Sequence, residues 1–195
     1  MNLHVPQTEE ARTEAILLMK STNNIVTPRD GVPLIAATQD FITAAFLISR
    51  KDTFFDRQQF CQIVSYFSDA TEHLDIPPPT ILRPSYLWTG KQIFNVLMRP
   101  NKESKIFVNL ESACKTHEKA QPHEIPDMSP NDGYLVIVNS EIMCGVWDKG
   151  TVGDGKKTSV FAVIQRDYGA EEAAKAMGKL AKVCARWLSE SGILL

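Results

Sequence analysis

A chain of 195 residues is long enough for one sizeable core or two small ones, and 44% hydrophobic with 23% charged residues is an ordinary globular composition. No run approaches the roughly 20 apolar residues that cross a bilayer, and the stretch Met1 to Glu10 has no basic region ahead of an apolar one, so neither a membrane span nor a secretory leader is expected. Twenty-one basic against 23 acidic side chains leave a net charge of −2, which argues against a free-standing nucleic-acid binder, because phosphate contacts and counterion release demand a basic excess.

In chain order, Thr8 precedes Glu9 and Glu10, an acidic first turn that suits the helix dipole, and Lys20 follows at the far end. Ala11, Ala15, Leu18 and Met19 fall on one stripe, which predicts an amphipathic helix over 8–20. Ile25-Val26-Thr27 and Val32-Pro33-Leu34-Ile35 read as two short extended runs around a turn at Asp30-Gly31, with Pro33 at a strand end. Residues 39–51 are apolar almost all round and predict a buried helix. Asp52 is placed to cap a further helix carrying Phe60, Ile63, Val64 and Phe67. Pro77-Pro78-Pro79 is a rigid extended connector.

Trp88 to Met98 predicts a short helix capped by Thr89. Residues 99–132 are polar and aperiodic and read as a surface insertion. Tyr134 to Val138 and Ile142 to Val146, joined by Asn139-Ser140-Glu141, predict a β-hairpin, and Gly150, Gly153 and Gly155 mark a loop. Asp148 and Lys149 are expected to shape that hairpin. Ser159 to Tyr168 fits strand or helix equally. Met177, Leu180, Cys184, Trp187 and Leu188 form one stripe and predict a last helix of about five turns. The fold class is α+β, helix-rich, with short β-hairpins.

Generic chemical signals are weak. Gly90-Lys91-Gln92 has the look of the end of a phosphate loop, but the upstream glycine is missing and Gln92 stands where the metal-binding hydroxyl would be. Cys114, His117 and His123, with Glu118, could offer zinc ligands, yet their spacing fits no strong template. Cys61, Cys114, Cys144 and Cys184 share no CxxC spacing and read as reduced, mostly packed thiols. No Ser, His and Asp grouping suggests a nucleophile.

More specific is a series of motifs in order. Met1-Asn2-Leu3-His4-Val5-Pro6-Gln7 resembles the segment that directly follows the Asn-Ala-Asp-Phe-Asp-Gly-Asp-Glu motif of the largest subunit of multisubunit RNA polymerases. Ser21-Thr22-Asn23-Asn24-Ile25-Val26-Thr27-Pro28, Gly31-Val32-Pro33-Leu34-Ile35 and Gln39-Asp40 are similar to the stretch shared with bacterial homologues. Asp52-Thr53-Phe54-Phe55, Pro78 to Pro84, Leu87 to Ile93 and Asp148 to Gly153 resemble the eukaryotic subunits. Lys51 to Arg57 and Trp88-Thr89-Gly90 lean toward the polymerase III version.

That resemblance implies that 1–28 is the end of the active-site domain and 29–195 the pore domain, with 99–132 a variable surface insertion. The pore is the secondary channel through which nucleoside triphosphates enter and the RNA 3′ end is extruded on backtracking. In the family, three aspartates of the motif hold the catalytic magnesium, so the Mg2+ ligands are expected upstream of Met1, and this chain alone is expected to bind none. The family continues past the last helix with Gly-Phe-Ser-Ile-Gly-Ile-Gly-Asp, whereas this chain ends Ser191-Gly192-Ile193-Leu194-Leu195. The expectation is therefore a piece of a longer subunit, inactive alone as a nucleotidyltransferase. Implied partners are the other polymerase subunits, especially the second-largest, with DNA template, RNA and NTPs, in the nucleus and without a membrane.

Channel-facing groups are expected at Asn2, Gln7, Asn23, Asn24, Gln39, Lys91 and Gln92. Amides offer donors and acceptors together, and a lysine attracts phosphate as a point charge. The plainer roles for the same residues are turn or cap geometry for Asn23 and Asn24, backbone satisfaction for Gln39, and a solvated helix start for Lys91. The competing functional reading is a stand-alone, non-catalytic protein-interaction module of the same fold.

Overall fold

The computed structural model describes residues 2–68, 72–115 and 130–192. Its helices are α1 (Glu9–Leu17), α2 (Gln39–Ser49), α3 (Arg57–Ser65), α4 (Gly90–Met98), α5 (Val160–Tyr168) and α6 (Ala170–Ser191). The strands are β1 (Phe54–Phe55), β2 (Trp88–Thr89), β3 (Leu110–Ala113), β4 (Tyr134–Val138) and β5 (Glu141–Cys144). β1 and β2 pair antiparallel, and β3-β4-β5 form an antiparallel sheet. The α+β class, rich in helix, is that expected from the sequence.

α6 is the spine. Its 22 residues make about six turns, one more than the stripe suggested. It buries Ala173, Ala176, Leu180, Val183, Cys184 and Leu188 against α2 and α5. α4 lies across the centre, touching α2, α3, α6 and β5, and buries six of its nine residues. The ring of Phe94 stacks on Trp147 at 4.2 Å between centroids, and Trp147 meets Phe161 edge-on at 6.2 Å. These three side chains are almost wholly buried. Burial of each stabilises by roughly 1.5–3 kcal/mol, with about 0.5–1.5 kcal/mol more for a favourable ring pair.

Local chemistry accounts for most element ends. Thr8 Oγ1 accepts the Ala11 N–H at 3.2 Å and starts α1. Asp52 does not cap the third helix: it pairs with Arg50 at 2.9 Å. The cap is Asp56, whose Oδ1 accepts the Gln59 N–H at 2.7 Å while Gln59 Oε1 accepts the Asp56 N–H. The intervening Phe54–Phe55 is held extended by pairing with Trp88 and Thr89, which sequence proximity could not reveal. Ser159 caps α5 by accepting the Ala162 N–H, which resolves the ambiguous segment as helix.

Between Ile25 and Ile35 the two extended runs contract to one bridge, Val26 with Pro33, closed by Thr27 N–H to Val32 O at 3.0 Å around Gly31 at φ +67°. The hairpin turn is Asn139-Ser140, at φ 52° and 67°, with Glu141 already in the strand and the second strand ending at Cys144 rather than Val146. Ser140 tolerates this conformation because its hydroxyl accepts the Val108 N–H and donates to Ile106 O, both at 2.9 Å. The polar stretch after Arg99 accordingly contains structure that its composition hid. Leu110–Ala113 is a sheet strand, and Val108 and Cys114 are fully buried beside it. The Asp148 carboxylate accepts the N–H groups of Gly150 (2.7 Å) and Thr151 (3.1 Å), shaping the glycine loop rather than the hairpin.

Candidate channel-facing surface

Residues 2–20 stand apart from this core. From Asn2 to Lys20 every residue is exposed except half-buried Ala15. α1 was expected to bury its apolar stripe; it buries none of it. Leu18 and Met19 are 67% and 75% exposed, and Ile16, Leu17, Leu3 and Val5 are exposed with them.

Asn2 and Gln7 lie in the extended arm before α1, both exposed. The Gln7 amide donates to Val5 O at 3.0 Å, which braces the arm around Pro6. Gln39 is exposed at the first position of α2 with φ 43°, a left-handed conformation that a non-glycine residue enters only where the surroundings impose it. Here the preceding chain is held by Ala37 N–H to Val152 O at 3.3 Å.

Asn23 and Asn24 sit in the 3-10 turn Ser21–Asn24 and reach back to the end of α1. Asn23 Nδ2 donates to Leu17 O at 2.8 Å, and Asn24 Nδ2 donates to Leu18 O at 2.7 Å and Lys20 O at 3.0 Å. The last carbonyls of a helix have no partner within it, and α1 has no basic residue in its last turn. These amides satisfy them.

Lys91 is not a free cation. Its Nζ lies 2.9 Å from Asp132 Oδ1, with the two side chains only 15% and 18% exposed. Gln92 is equally engaged: Oε1 accepts from Thr89 N–H (3.1 Å) and Thr80 Oγ1 (2.9 Å), and Nε2 donates to Pro78 O (2.9 Å). Both residues tie the start of α4 to distant segments. The structure thus brings Asn2, Gln7, Asn23 and Asn24 to the arm and its root, puts Lys91 and Gln92 together at the head of α4, and leaves Gln39 at the head of α2. Asp132 and Thr80 are the partners that sequence reading missed; at 41 and 12 residues from theirs, no local pattern signals them.

Gly90 opens α4 against the backbone of Ile48, where any Cβ would collide with the Ile48 carbonyl, so Gly90-Lys91-Gln92 serves helix packing rather than phosphate. Among the described residues no group of three His, Cys, Asp or Glu side chains converges as a metal site. Glu118, His117 and His123 lie outside the described residues. All four cysteines are free thiols, Cys114 and Cys184 buried. Burial pushes the Cys114 thiol up to about 11 and the Cys184 thiol up to about 12. Among the described residues no helix is long and apolar enough to cross a membrane.

Comparison with known proteins converges on one family. The family model described as RNA polymerase Rpb1, domain 3, matches residues 24–194. The DNA-directed RNA polymerase III subunit rpc1 of Schizosaccharomyces pombe is 58% identical over 192 residues, which cover 98% of this chain and 14% of that protein. The corresponding RPC1 subunits of Saccharomyces cerevisiae and Homo sapiens are 55% and 49% identical, again over 98% of this chain and 13% and 14% of theirs. The chain therefore spans 13–14% of the length of these curated relatives. With a family model matched from the root of α1 to beyond α6, the chain belongs to the RNA polymerase Rpb1 domain 3 family.

Proposed function

We propose that the chain is a segment of a polymerase III largest subunit that walls the secondary channel, the passage by which NTPs reach the reaction centre and a backtracked RNA 3′ end leaves it. One observation carries the reading: identity of 49–58% to DNA-directed RNA polymerase III RPC1 subunits extends over 98% of the chain. The division into an active-site tail, 1–28, and a pore domain, 29–195, draws its support from the contrast between the exposed arm, 2–20, and the core, whose first buried residue, Ile25, sits within the last turns of the tail.

Asn2, Gln7 and Gln39 are the groups we assign to the channel, since each presents an exposed amide. Asn23, Asn24, Lys91 and Gln92 shape the wall: the amide N–H groups of exposed Asn23 and Asn24 hold the end of α1, whereas the Gln7 amide is engaged only within the arm, and Lys91 and Gln92 are tied across the fold. The reaction served is nucleotidyl transfer: an RNA 3′-hydroxyl attacks the α-phosphate of an NTP, a phosphodiester forms and pyrophosphate leaves. The magnesium this reaction needs is assigned, with the family motif, to carboxylates elsewhere in the subunit. Partners are the remaining polymerase subunits, the second-largest foremost, with DNA template, RNA and NTPs, in the nucleus. The unpartnered apolar residues of α1 and the arm supply a surface for the flanking subunit body.

Photocrosslinking tests this. Polymerase III containing this subunit is stalled on RNA ending in 4-thiouridine and allowed to backtrack, and crosslinked peptides are mapped. The expected peptides include Asn2–Gln7 or Gln39; crosslinks confined to other parts of the subunit would remove the channel assignment. The isolated 195-residue chain is expected not to extend a primed template, and extension by it would contradict the placement of the catalytic carboxylates.

A further inference from the structure

We infer that Asn23 and Asn24 are positioning residues, a two-amide clamp that sets the direction in which the 2–20 arm leaves the core and so holds Asn2 and Gln7 in place. This rests on the channel reading above for its purpose, though not for its geometry. Among the described residues the arm joins the core only at its root, since nothing in 2–20 is buried within this chain and only Ala15 is half-buried. Directional bonds at that root set the angle at which the arm leaves the core. Asn23 Nδ2 holds Leu17 O at 2.8 Å, Asn24 Nδ2 holds Leu18 O at 2.7 Å and Lys20 O at 3.0 Å, and Asn23 N–H holds Lys20 O at 3.0 Å. The turn carrying both asparagines runs directly into Ile25, which is buried and whose carbonyl accepts the Leu34 N–H at 2.7 Å.

Each amide thus runs from the turn that leads into buried Ile25 back to Leu17, at the end of α1, or to Leu18 and Lys20 just beyond it. Lys20 adds a tie to the spine, its Nζ 2.7 Å from Glu171 Oε1, but that pair is exposed and screened by salt. That bond runs from a long, flexible side chain, whereas the short asparagine amides hold backbone carbonyls directly and constrain angle as well as distance. Two amides on one short turn gripping two successive carbonyls therefore fix both the tilt and the rotation of α1.

The test uses the assembled polymerase carrying the full-length subunit, with the double substitution Asn23→Asp and Asn24→Asp. Aspartate keeps the shape but presents an acceptor to each carbonyl in place of a donor. The expected result is faster hydrogen exchange across residues 9–20, unchanged exchange in α2 and α6, unchanged subunit assembly, and a kcat for single-nucleotide addition lowered about tenfold with KM for NTP within about twofold. A merely structural role would leave that kcat-against-KM split unmoved. Unchanged exchange across 9–20 would overturn the clamp itself. Faster exchange with unchanged kcat would overturn its service to the reaction. Asn2→Ala and Gln7→Ala in the same assay separate the two failures: if neither alters addition, the channel reading falls while the exchange result still decides the clamp.

Discussion

Lys91 Nζ and Asp132 Oδ1 meet at 2.9 Å, and the same carboxylate oxygen accepts the Gly145 N–H at 3.0 Å. One ion pair thus joins the head of α4 to both strands' ends at the open side of the β4-β5 hairpin. With each side chain less than a fifth exposed, the pair sits between the surface regime, where water screens the attraction, and the buried regime, where an orphaned charge is costly.

Breaking this pair from one side should therefore cost about 1–3 kcal/mol. Lys91→Met leaves Asp132 without its cation, and Asp132→Ala leaves the ammonium and the Gly145 N–H without their acceptor. Urea unfolding of both single variants and the double variant gives the coupling directly, and the double variant should lose less than the two single losses together. Additive losses would show that the two charges do not support one another.

Two glycines on helices should respond in opposite directions. At Gly90 a Cβ would be driven into the backbone of Ile48, and the main chain cannot yield as a side-chain tip can. Gly90→Ala should lose about 3 kcal/mol or more, or fail to fold. Gly178 lies inside α6 with nothing within 4 Å of an added Cβ. Gly178→Ala should gain roughly 0.5–1 kcal/mol by restricting the unfolded chain and favouring helix. Thermal unfolding should then rise by about 2–4 °C per kcal/mol for a chain of this size.

The buried thiols predict both reactivity and alkaline stability. At pH 8 a thiol reagent should modify Cys61 and Cys144 in the folded chain, and all four thiols in urea, because Cys114 and Cys184 are buried and their thiolates disfavoured. The folded state raises both from an ordinary 9.0, to about 11 and about 12. A raised value favours the protonated form in the native state, so its contribution is fully present below about pH 9 and is lost as pH rises through the folded values. Urea midpoints should therefore fall between about pH 9 and 12. Cys114→Ala and Cys184→Ala together should flatten that part of the profile, and an unaltered slope would assign it to other groups.

Much of the architecture was legible because it is written in neighbouring residues. Thr8 ahead of two glutamates, Thr89 ahead of α4, the Asn139-Ser140 turn and the stripe of α6 all act over three or four positions, the range over which a sequence pattern is a physical contact. Asp52 shows the limit. The sequence points to it as the cap, but pairing of Phe54–Phe55 with Trp88–Thr89 keeps the next residues extended and the cap falls on Asp56. Leu110–Ala113 went unseen because a four-residue edge strand with one glutamate and one serine has no alternation to read. The ordered family motifs, not any local pattern, pointed to the polymerase.

The sequence by itself determined the α+β class, the family and the chemical nature of the candidate channel groups. It did so because caps, turns and stripes are short-range and motif order needs no coordinates. Which polar atoms are already spent emerges once the chain is folded. Lys91 meets Asp132 and Gln92 meets Pro78 across the fold, while Asn23 and Asn24 turn back on α1 and Asn2 and Gln39 remain exposed. A side chain's availability depends on what the folded chain brings within about 3 Å of it, and that neighbour can lie at any distance along the sequence.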